Sequence, residues 1–220
     1  MPLPPASTRS RPRVPEPDHS AAAEIFERLR RALPLHRAVW SGSGRLAGVL
    51  VALTREPCPR VLLGRRALHL PLHPGEVAFP GGKREPGDHS PWDTALREAE
   101  EEVGCPPDAV EPLGELPPLV TRSGYRIYPC VAVIDPGLPL RADPGEVAEL
   151  LLPRLEQFFH REGWHSRVFP DPETGLPVRV PHFHLARDTV WGTSARVLLE
   201  LVNIGLRAGL DPDVFEEEKT

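Results

Sequence analysis

The sequence predicts an α/β protein, an α/β/α sandwich built on a mixed β-sheet. Apolar runs of strand length lie before and after a strongly signalled central helix, and further helical patterns stand near both ends of the chain. The 220 residues, 40% of them apolar, suffice for one large core. We expect one domain over residues 21–210, between a disordered Pro-rich tail at 1–20 and an acidic C-terminal tail at 211–220.

The elements can be assigned in chain order. Residues 21–33 carry apolar side chains at helical spacing and end against Pro34, which indicates an amphipathic helix. Residues 46–53 and 61–65 are apolar runs separated by turn-forming residues, which predicts a β-hairpin. Further strands are expected at 76–79, 113–116, 127–134 and 178–185, and further helices at 153–159 and 193–207.

The central helix has explicit signals at both ends. Ser90 can cap its N-terminus, Pro91 suits the first helical position, and Asp93 lies where the reciprocal carboxylate of a capping box belongs. Gly104, followed shortly by prolines, is expected to end it.

Composition and charge restrict the class of protein. Lys and Arg total 26 and Asp and Glu total 31, so the net charge of −5 provides no overall basic field, and a polyanion would need a local basic patch. Three separated cysteines indicate neither a disulfide framework nor a zinc site, and no apolar run is long enough to span a bilayer. We expect a cytoplasmic protein without nucleic-acid or membrane partners, and leave open whether it forms a homodimer.

Acidic residues are concentrated near the end of the central helix. Glu98, Glu101 and Glu102 fall within about 100° of arc on one helix face, whereas Glu100 points elsewhere. Because carboxylates so close together repel each other and the helix dipole, a cation should offset their charge. Oxygen ligands without His or Cys suit Mg²⁺ or Mn²⁺. A solvated acidic face is the alternative interpretation of the same run.

The segment 81–105, GGKREPGDHSPWDTALREAEEEVGC, places a glycine turn shortly before this acidic helix. It resembles the Nudix box, G-x5-E-x7-R-E-U-x-E-E-x-G-U, in which U is an aliphatic residue. Asp88 takes the place of the first glutamate, and eight residues instead of seven separate it from Arg97. The matching positions are Gly82, Arg97, Glu98, Ala99, Glu101, Glu102, Val103 and Gly104, with Cys105 in the last apolar position.

The resemblance implies a Nudix fold and metal-dependent hydrolysis of a diphosphate linkage. Divalent ions would neutralise the phosphate oxygens and lower the pKa of the attacking water. Arg97 would orient the carboxylates, and the base would be a box glutamate such as Glu101 or the later Glu146. The implied ligands of Mg²⁺ or Mn²⁺ are Glu98, Glu101, Glu102 and the carbonyl of Gly81.

Residues 62–82, LLGRRALHLPLHPGEVAFPGG, are similar to the signature of the coenzyme A diphosphatase subgroup, L-L-T-x-R-[SA]-x3-R-x3-G-x3-F-P-G-G. Gly64 replaces its Thr and Pro71 its second Arg. Because side chains alternate along a strand, at most one of Arg65 and Arg66 should point at the site. The candidate substrate contacts are therefore one of Arg65 and Arg66, together with His73, Gly82 and Lys83.

These similarities imply a small-molecule nucleotide substrate. The leading hypothesis is hydrolysis of coenzyme A or its derivatives to 3′,5′-ADP and 4′-phosphopantetheine. Pro71 keeps open another nucleoside diphosphate derivative, such as ADP-ribose, NADH or a nucleoside triphosphate. A Nudix domain that only binds its ligand is the third hypothesis, against which the three box glutamates argue.

Overall fold

The computed structural model describes residues 19–33, 39–41, 44–171, 174–206, 209–212 and 215–217. Within these ranges the α-helices are α1 (His19–Ala32), α2 (Pro91–Val103) and α3 (Gly192–Leu206). The helix predicted at 153–159 is a 3-10 helix, Leu155–Phe159. None of the helices in the described ranges has the length and apolar character that crossing a membrane requires.

The strands of the described residues form two sheets. They are β1 (Arg45–Thr54), β2 (Leu63–Arg66), β3 (Val77–Ala78), β4 (Gly81–Lys83), β5 (Glu111–Glu115), β6 (Leu119–Val120), β7 (Tyr125–Ile134), β8 (Val147–Leu151), β9 (Trp164–Pro170), β10 (Pro177–His184), β11 (Thr189–Trp191) and β12 (Glu216–Glu217). The first sheet has the order β4-β1-β7-β5, with β6 also paired to β7, and the second has the order β12-β9-β10-β11-β3-β2-β8. In the first sheet β1 and β7 are parallel and β4 and β5 are antiparallel to them, so this sheet is mixed.

The segments predicted to form one β-hairpin, 46–53 and 61–65, belong to different sheets. They share an antiparallel bridge at Leu53 and Val61, and Thr54 N–H donates to the Arg60 carbonyl at 2.9 Å. Beyond this turn β1 pairs with β7 and β4, whereas β2 pairs with β3 and β8. The hairpin prediction is therefore wrong outside the turn, because turn residues determine only the local reversal of the chain.

The first sheet lies between two apolar layers. Because neighbouring residues of a strand point to opposite faces, Leu50 and Cys130 pack in a cluster with α2. Val51 and Val131 pack on the other face with side chains of α1, α3 and the second sheet. The predicted α/β/α class with a mixed sheet is confirmed, and the second sheet adds to it.

Helix α2 begins and ends where the sequence predicted. The Ser90 side chain accepts from the Asp93 N–H, the Asp93 carboxylate accepts from the Ser90 N–H, and Gly104 closes the helix in the left-handed conformation. The first turn of α2 rests on β1 at Gly48, where a Cβ atom would lie only 2.4 Å from the Pro91 carbonyl oxygen. A glycine here lets the helix approach the sheet closely.

Part of the predicted C-terminal tail belongs to the fold. Phe215 is buried, and its ring stacks on Trp164 with 5.7 Å between the centroids. Strand β12 pairs in parallel with β9. The packed chain therefore extends beyond the predicted boundary at residue 210. Residues 1–18 of the predicted N-terminal tail lie outside the described residues.

Candidate active site

Two carboxylates of α2 lie against the glycine turn at β4, an edge strand of the first sheet. Glu102 is only 5% exposed, and its Oε2 accepts a hydrogen bond from the Gly81 N–H at 3.1 Å. Glu98 packs against Gly82, where a Cβ atom would come within 2.3 Å of Glu98 Oε1. The glycines thus let the strand backbone approach both predicted ligands.

Burial raises the pKa of both carboxyl groups. For Glu102, burial is the main cause, the nearby Glu98 and Glu146 add to it, and the pKa reaches about 8 despite the Gly81 hydrogen bond. Burial also raises the pKa of Glu98, against the opposing effect of Arg97. A divalent cation between these groups would favour the ionised form of both, so their environment fits a metal site.

Arg97 links the glutamates to the loop before α2. Its guanidinium donates to Asp88 Oδ2 and to the Lys83 carbonyl, both at 3.1 Å, and forms ion pairs with Glu98 at 2.9 Å and Glu101 at 3.3 Å. The longer spacing between Asp88 and Arg97 therefore does not separate them. Arg97 thus contacts two of the carboxylates that it is predicted to orient, Glu98 and Glu101.

Asp88 is the buried anchor of this arrangement. Its Oδ2 also accepts from the Thr94 hydroxyl at 2.6 Å and from the Glu85 N–H at 2.8 Å. Burial alone would raise the pKa of Asp88, but the hydrogen bonds from Arg97 and Thr94 outweigh it and hold the pKa below its ordinary value. The carboxylate thus stays charged and keeps Arg97 in place.

The loop before β8 brings Glu146 to the same site. Asp143 N–H donates to the Glu102 carbonyl and Arg141 N–H to the Val103 carbonyl, both at 2.9 Å, so the loop binds the last turn of α2. Glu146 is then close enough for its charge to raise the pKa of Glu98 and of Glu102. Glu146, the predicted base, therefore lies within electrostatic range of both carboxylates.

Arg66 faces the same site from β2. A small pocket is lined by Arg66 and by Gly64, Ala78, Phe79, Pro80, Glu102, Val103 and Val147. The positive charge of Arg66 lowers the pKa of Glu102, and its buried Nε has no hydrogen-bond partner among the described residues. A buried donor of this kind is suited to an anionic ligand.

The other predicted substrate contacts lie elsewhere. Arg65 forms a bidentate pair with Asp188 at 2.7 and 2.8 Å and a third bond with Glu149 at 2.7 Å. Its charge is therefore neutralised within the protein, which argues against the phosphate-binding role predicted for it. His73 is exposed and bonded to Glu76 at 2.9 Å, outside the pocket lining. Lys83 is exposed at the end of β4, next to Gly82.

The predicted ligand trio is brought together only in part. Glu101 is 58% exposed, whereas Glu98 is partly buried and Glu102 is buried, and Arg97 pairs with both Glu101 and Glu98. Within the described ranges no three His, Cys, Asp or Glu side chains already surround a space for an ion. The oxygen donors of Glu98, Glu102 and Glu146 nevertheless have the chemistry that a hard divalent cation prefers.

The sequence alone did not identify three participants of this site. Thr94 bonds Asp88, and it lies one helical turn before Glu98, a spacing that could have marked it. Phe79 and Pro80 line the pocket beside Arg66. They belong to the matched FPGG segment, but only the pairing of β2 with β3 shows that they face Arg66.

Cleavage of a phosphoric anhydride requires carboxylates that hold a cation and a positive side chain that receives phosphate oxygens. Helix α2 and strand β2 bring both kinds of group to one pocket. The fold and the site thus define the class of a phosphoric-anhydride hydrolase.

Comparison with known proteins agrees with this class. Residues 44–178 match the family profile of the NUDIX domain. The chain is 40% identical over 168 residues to the uncharacterized Nudix hydrolase NudL of Escherichia coli K12 and to that of Shigella boydii, covering 76% of this chain and 85% of each relative. A MutT/nudix family protein from Enterococcus faecalis, 18% identical, superposes with a TM-score of 0.47 over 82% of this chain and 73% of its own.

The chain therefore belongs to the Nudix family, as the sequence motif indicated. It is a hydrolase that acts on a diphosphate-containing substrate. Nudix hydrolases generally use divalent metal ions.

Proposed function

We propose that this hydrolase cleaves the diphosphate linkage of coenzyme A or its derivatives, giving 3′,5′-ADP and 4′-phosphopantetheine, with Mg²⁺ or Mn²⁺ as its cation. The observation that carries the proposal is the position of Arg66. This residue belongs to the upstream segment that is similar to the coenzyme A diphosphatase signature, and it shares a pocket with Glu102.

Each residue has a part in the proposed reaction. The cation, when bound, would neutralise phosphate oxygens and make water more acidic. Glu98 and Glu102 would hold it, with Glu101 joining them from the exposed side, and the Gly81 carbonyl is a further candidate ligand. Arg66 would bind the diphosphate through its unpaired Nε.

The proton of the attacking water would pass to Glu146 or to Glu101. Glu146 is partly buried and electrostatically coupled to Glu98 and Glu102. We favour Glu146, because Glu101 is already paired with Arg97. Arg97 would act as a positioning residue that keeps the glutamates in line.

A second candidate is hydrolysis of another nucleoside diphosphate derivative. Pro71 stands where the coenzyme A signature has an arginine, and it is exposed in the loop between β2 and β3. If the arginine that Pro71 replaces were essential for binding coenzyme A, substrates such as ADP-ribose, NADH or a nucleoside triphosphate would be preferred.

For either substrate we propose a reducing, cytoplasmic setting, which suits the free thiols of Cys58, Cys105 and Cys130.

A substrate panel tests the proposal. The purified protein is incubated with Mg²⁺ or Mn²⁺ and with coenzyme A, ADP-ribose, NADH or nucleoside triphosphates, and the products are separated by chromatography. We expect 3′,5′-ADP from coenzyme A, with the highest kcat/KM in the panel. A higher kcat/KM for any other compound would identify that compound class as the substrate instead.

Matched variants link the activity to the site. Glu102→Gln and Arg66→Met should each lower kcat/KM by about a hundredfold or more, because a ligand and a phosphate contact are lost. Glu100→Gln is the control, since Glu100 is exposed on the same helix and points away from the site. Equal activity of Glu102→Gln and Glu100→Gln would contradict the assigned site.

A further inference from the structure

Basic residues gather at the end of the first sheet where β1 and β7 begin. We call this group the cationic end; its members are Arg45, Lys83, Arg84, Arg122 and Arg126. Strand register brings them together, because Arg45 pairs with Tyr125, Leu46 with Arg126 and Ala47 with Lys83. The segments that form this end, 44–54, 81–84 and 116–134, contain neither Asp nor Glu.

Two guanidinium groups of the cationic end, those of Arg45 and Arg84, are oriented by aromatic rings without being neutralised. The guanidinium of Arg45 lies 5.4 Å from the ring centroid of Tyr125, and that of Arg84 lies 5.4 Å from the centroid of Trp40. Arg45 also donates to the Ser123 carbonyl at 3.4 Å. Rings and carbonyls fix a guanidinium but leave its charge in place. Within the described ranges, no member of the cationic end forms an ion pair with a carboxylate.

Two members of the cationic end share the face that looks toward the second sheet. Gly82 faces Glu98 on the α2 side, so the next residue, Lys83, points to the opposite face. Lys83 pairs with Ala47, and Arg45 lies two residues before Ala47 on β1, so Arg45 points to that same face. On this face Val51 and Val131 are fully buried, whereas residues nearer the cationic end, such as Ile127, are partly exposed. Burial on this face therefore decreases toward Arg45 and Lys83, which are both exposed.

We propose that Arg45 and Lys83 bind a second phosphate of the substrate, a phosphate monoester carried by its nucleoside. Gly82 marks the diphosphate site, and strand geometry puts Arg45 roughly 10 Å from it, a span that one nucleoside can cover. An arginine without a carboxylate partner is the group that binds a phosphate dianion best. The inference rests on the proposed function and assigns to these residues the 3′-phosphate of coenzyme A.

Calorimetric binding of two nucleotides tests the inference. Titrations of 3′,5′-ADP and of 5′-AMP at one fixed Mg²⁺ concentration isolate the contribution of the 3′-phosphate. We expect wild-type protein to bind 3′,5′-ADP at least about tenfold more tightly, the usual effect of a charge-assisted hydrogen bond. Arg45→Met and Lys83→Met should each remove most of this preference, and both residues are exposed, so the variants should fold.

Arg126→Met is the matched control. Arg126 belongs to the cationic end but lies on the α2 face, with Tyr128 and Cys130, so its loss removes the same charge from the other side of the sheet. The variant should keep the preference for 3′,5′-ADP. Equal affinity of wild-type protein for the two nucleotides, an unchanged preference in both Arg45→Met and Lys83→Met, or an equal loss in Arg126→Met would overturn the inference.

The outcome is separable from that of the proposed function. A preference for 3′,5′-ADP that depends on Arg45, without turnover of coenzyme A, would support the phosphate site and refute the substrate. Turnover of coenzyme A with equal binding of the two nucleotides would support the substrate and refute the phosphate site.

Discussion

In the metal-free protein burial raises the pKa of Glu102 to about 8, against an ordinary value of 4.5. Between these two values the unfolded chain ionises this carboxyl while the folded chain keeps it protonated. Its contribution to stability is therefore fully present below pH 4.5 and is lost as the pH rises to about 8. Folding of the metal-free protein thus favours the protonated form of Glu102, whereas metal binding favours its ionised form.

Glu102→Gln should make the metal-free protein more stable at pH 8, by about 1 to 3 kcal/mol, because the substituted side chain has no charge to bury. The gain should shrink toward pH 5. Urea unfolding in EDTA at several pH values measures it, with the exposed Glu100→Gln as the control. A variant that is less stable than wild type at pH 8 would contradict the raised pKa.

Gly82 offers a second test at the scale of one residue. In Gly82→Ala the added Cβ would meet Glu98 Oε1 at 2.3 Å, so the carboxylate must move. We expect activity to fall by about a hundredfold, with little change in the unfolding midpoint, because a displacement of about 1 Å at a reacting site has effects of this size. Gly87→Ala is the control, since a Cβ there meets nothing within 4 Å.

The loop between β4 and α2 is held to the helix by Asp88, which binds Arg97, Thr94 and the Glu85 N–H. Its pKa is lowered, so its contribution to stability is present above about pH 3.8 and is lost as the pH falls below that value. Asp88→Asn should cost about 1 to 3 kcal/mol at pH 7, and the difference from wild type should shrink in acid.

Chemical denaturation between pH 3 and pH 8 measures this difference. Asp108→Asn, which alters an exposed carboxylate, provides the control. A constant difference at all pH values would show that Asp88 does not act through its charge.

Local signals were sufficient for α2. Ser90, Pro91, Asp93 and Gly104 each act on backbone groups within a few residues, so the limits of the helix can be predicted from the sequence. Strand β4 could not be predicted in this way, because Gly81-Gly82-Lys83 has no apolar alternation and becomes a strand only by pairing with β1.

The candidate site was predictable to a similar extent. The periodicity of α2 placed Glu98 and Glu102 on one face, and both lie at the site. The charge of Arg65 is neutralised by Asp188, which lies 123 residues away in sequence, and no spacing rule predicts such a contact. Glu101 was predicted as a ligand from its helix face, but it lies on the exposed side of that face, where it pairs with Arg97 one helical turn earlier.

At the scale of the molecule, the C-terminal segment completes the second sheet. Phe215→Ala should lower the free energy of unfolding by about 3 kcal/mol, because it removes a buried ring that stacks on Trp164. Glu217→Gln, on the exposed part of β12, should change it little. Thermal unfolding of the two variants checks the prediction, and equal midpoints would show that the segment adds no stability.

The two-sheet arrangement itself could not be read from the sequence. The turn between residues 54 and 60 was recognised, but the separation of β1 from β2 depends on which strands each meets later in the chain. Nonlocal pairing of this kind is decided by the packing of whole apolar faces, such as those of β1 and β7.

The contact between Gly48 and the first turn of α2 has one more consequence. The backbone of β1 meets the Pro91 carbonyl with no side chain between them, so Gly48 sets the distance between the sheet and α2. A single methyl group there would lift α2 from the sheet and carry Glu98 and Glu102 away from β4, although no ligand and no charge had changed. Gly48 has no contact with the substrate in the proposed site, and yet it determines how close the carboxylates of α2 lie to β4.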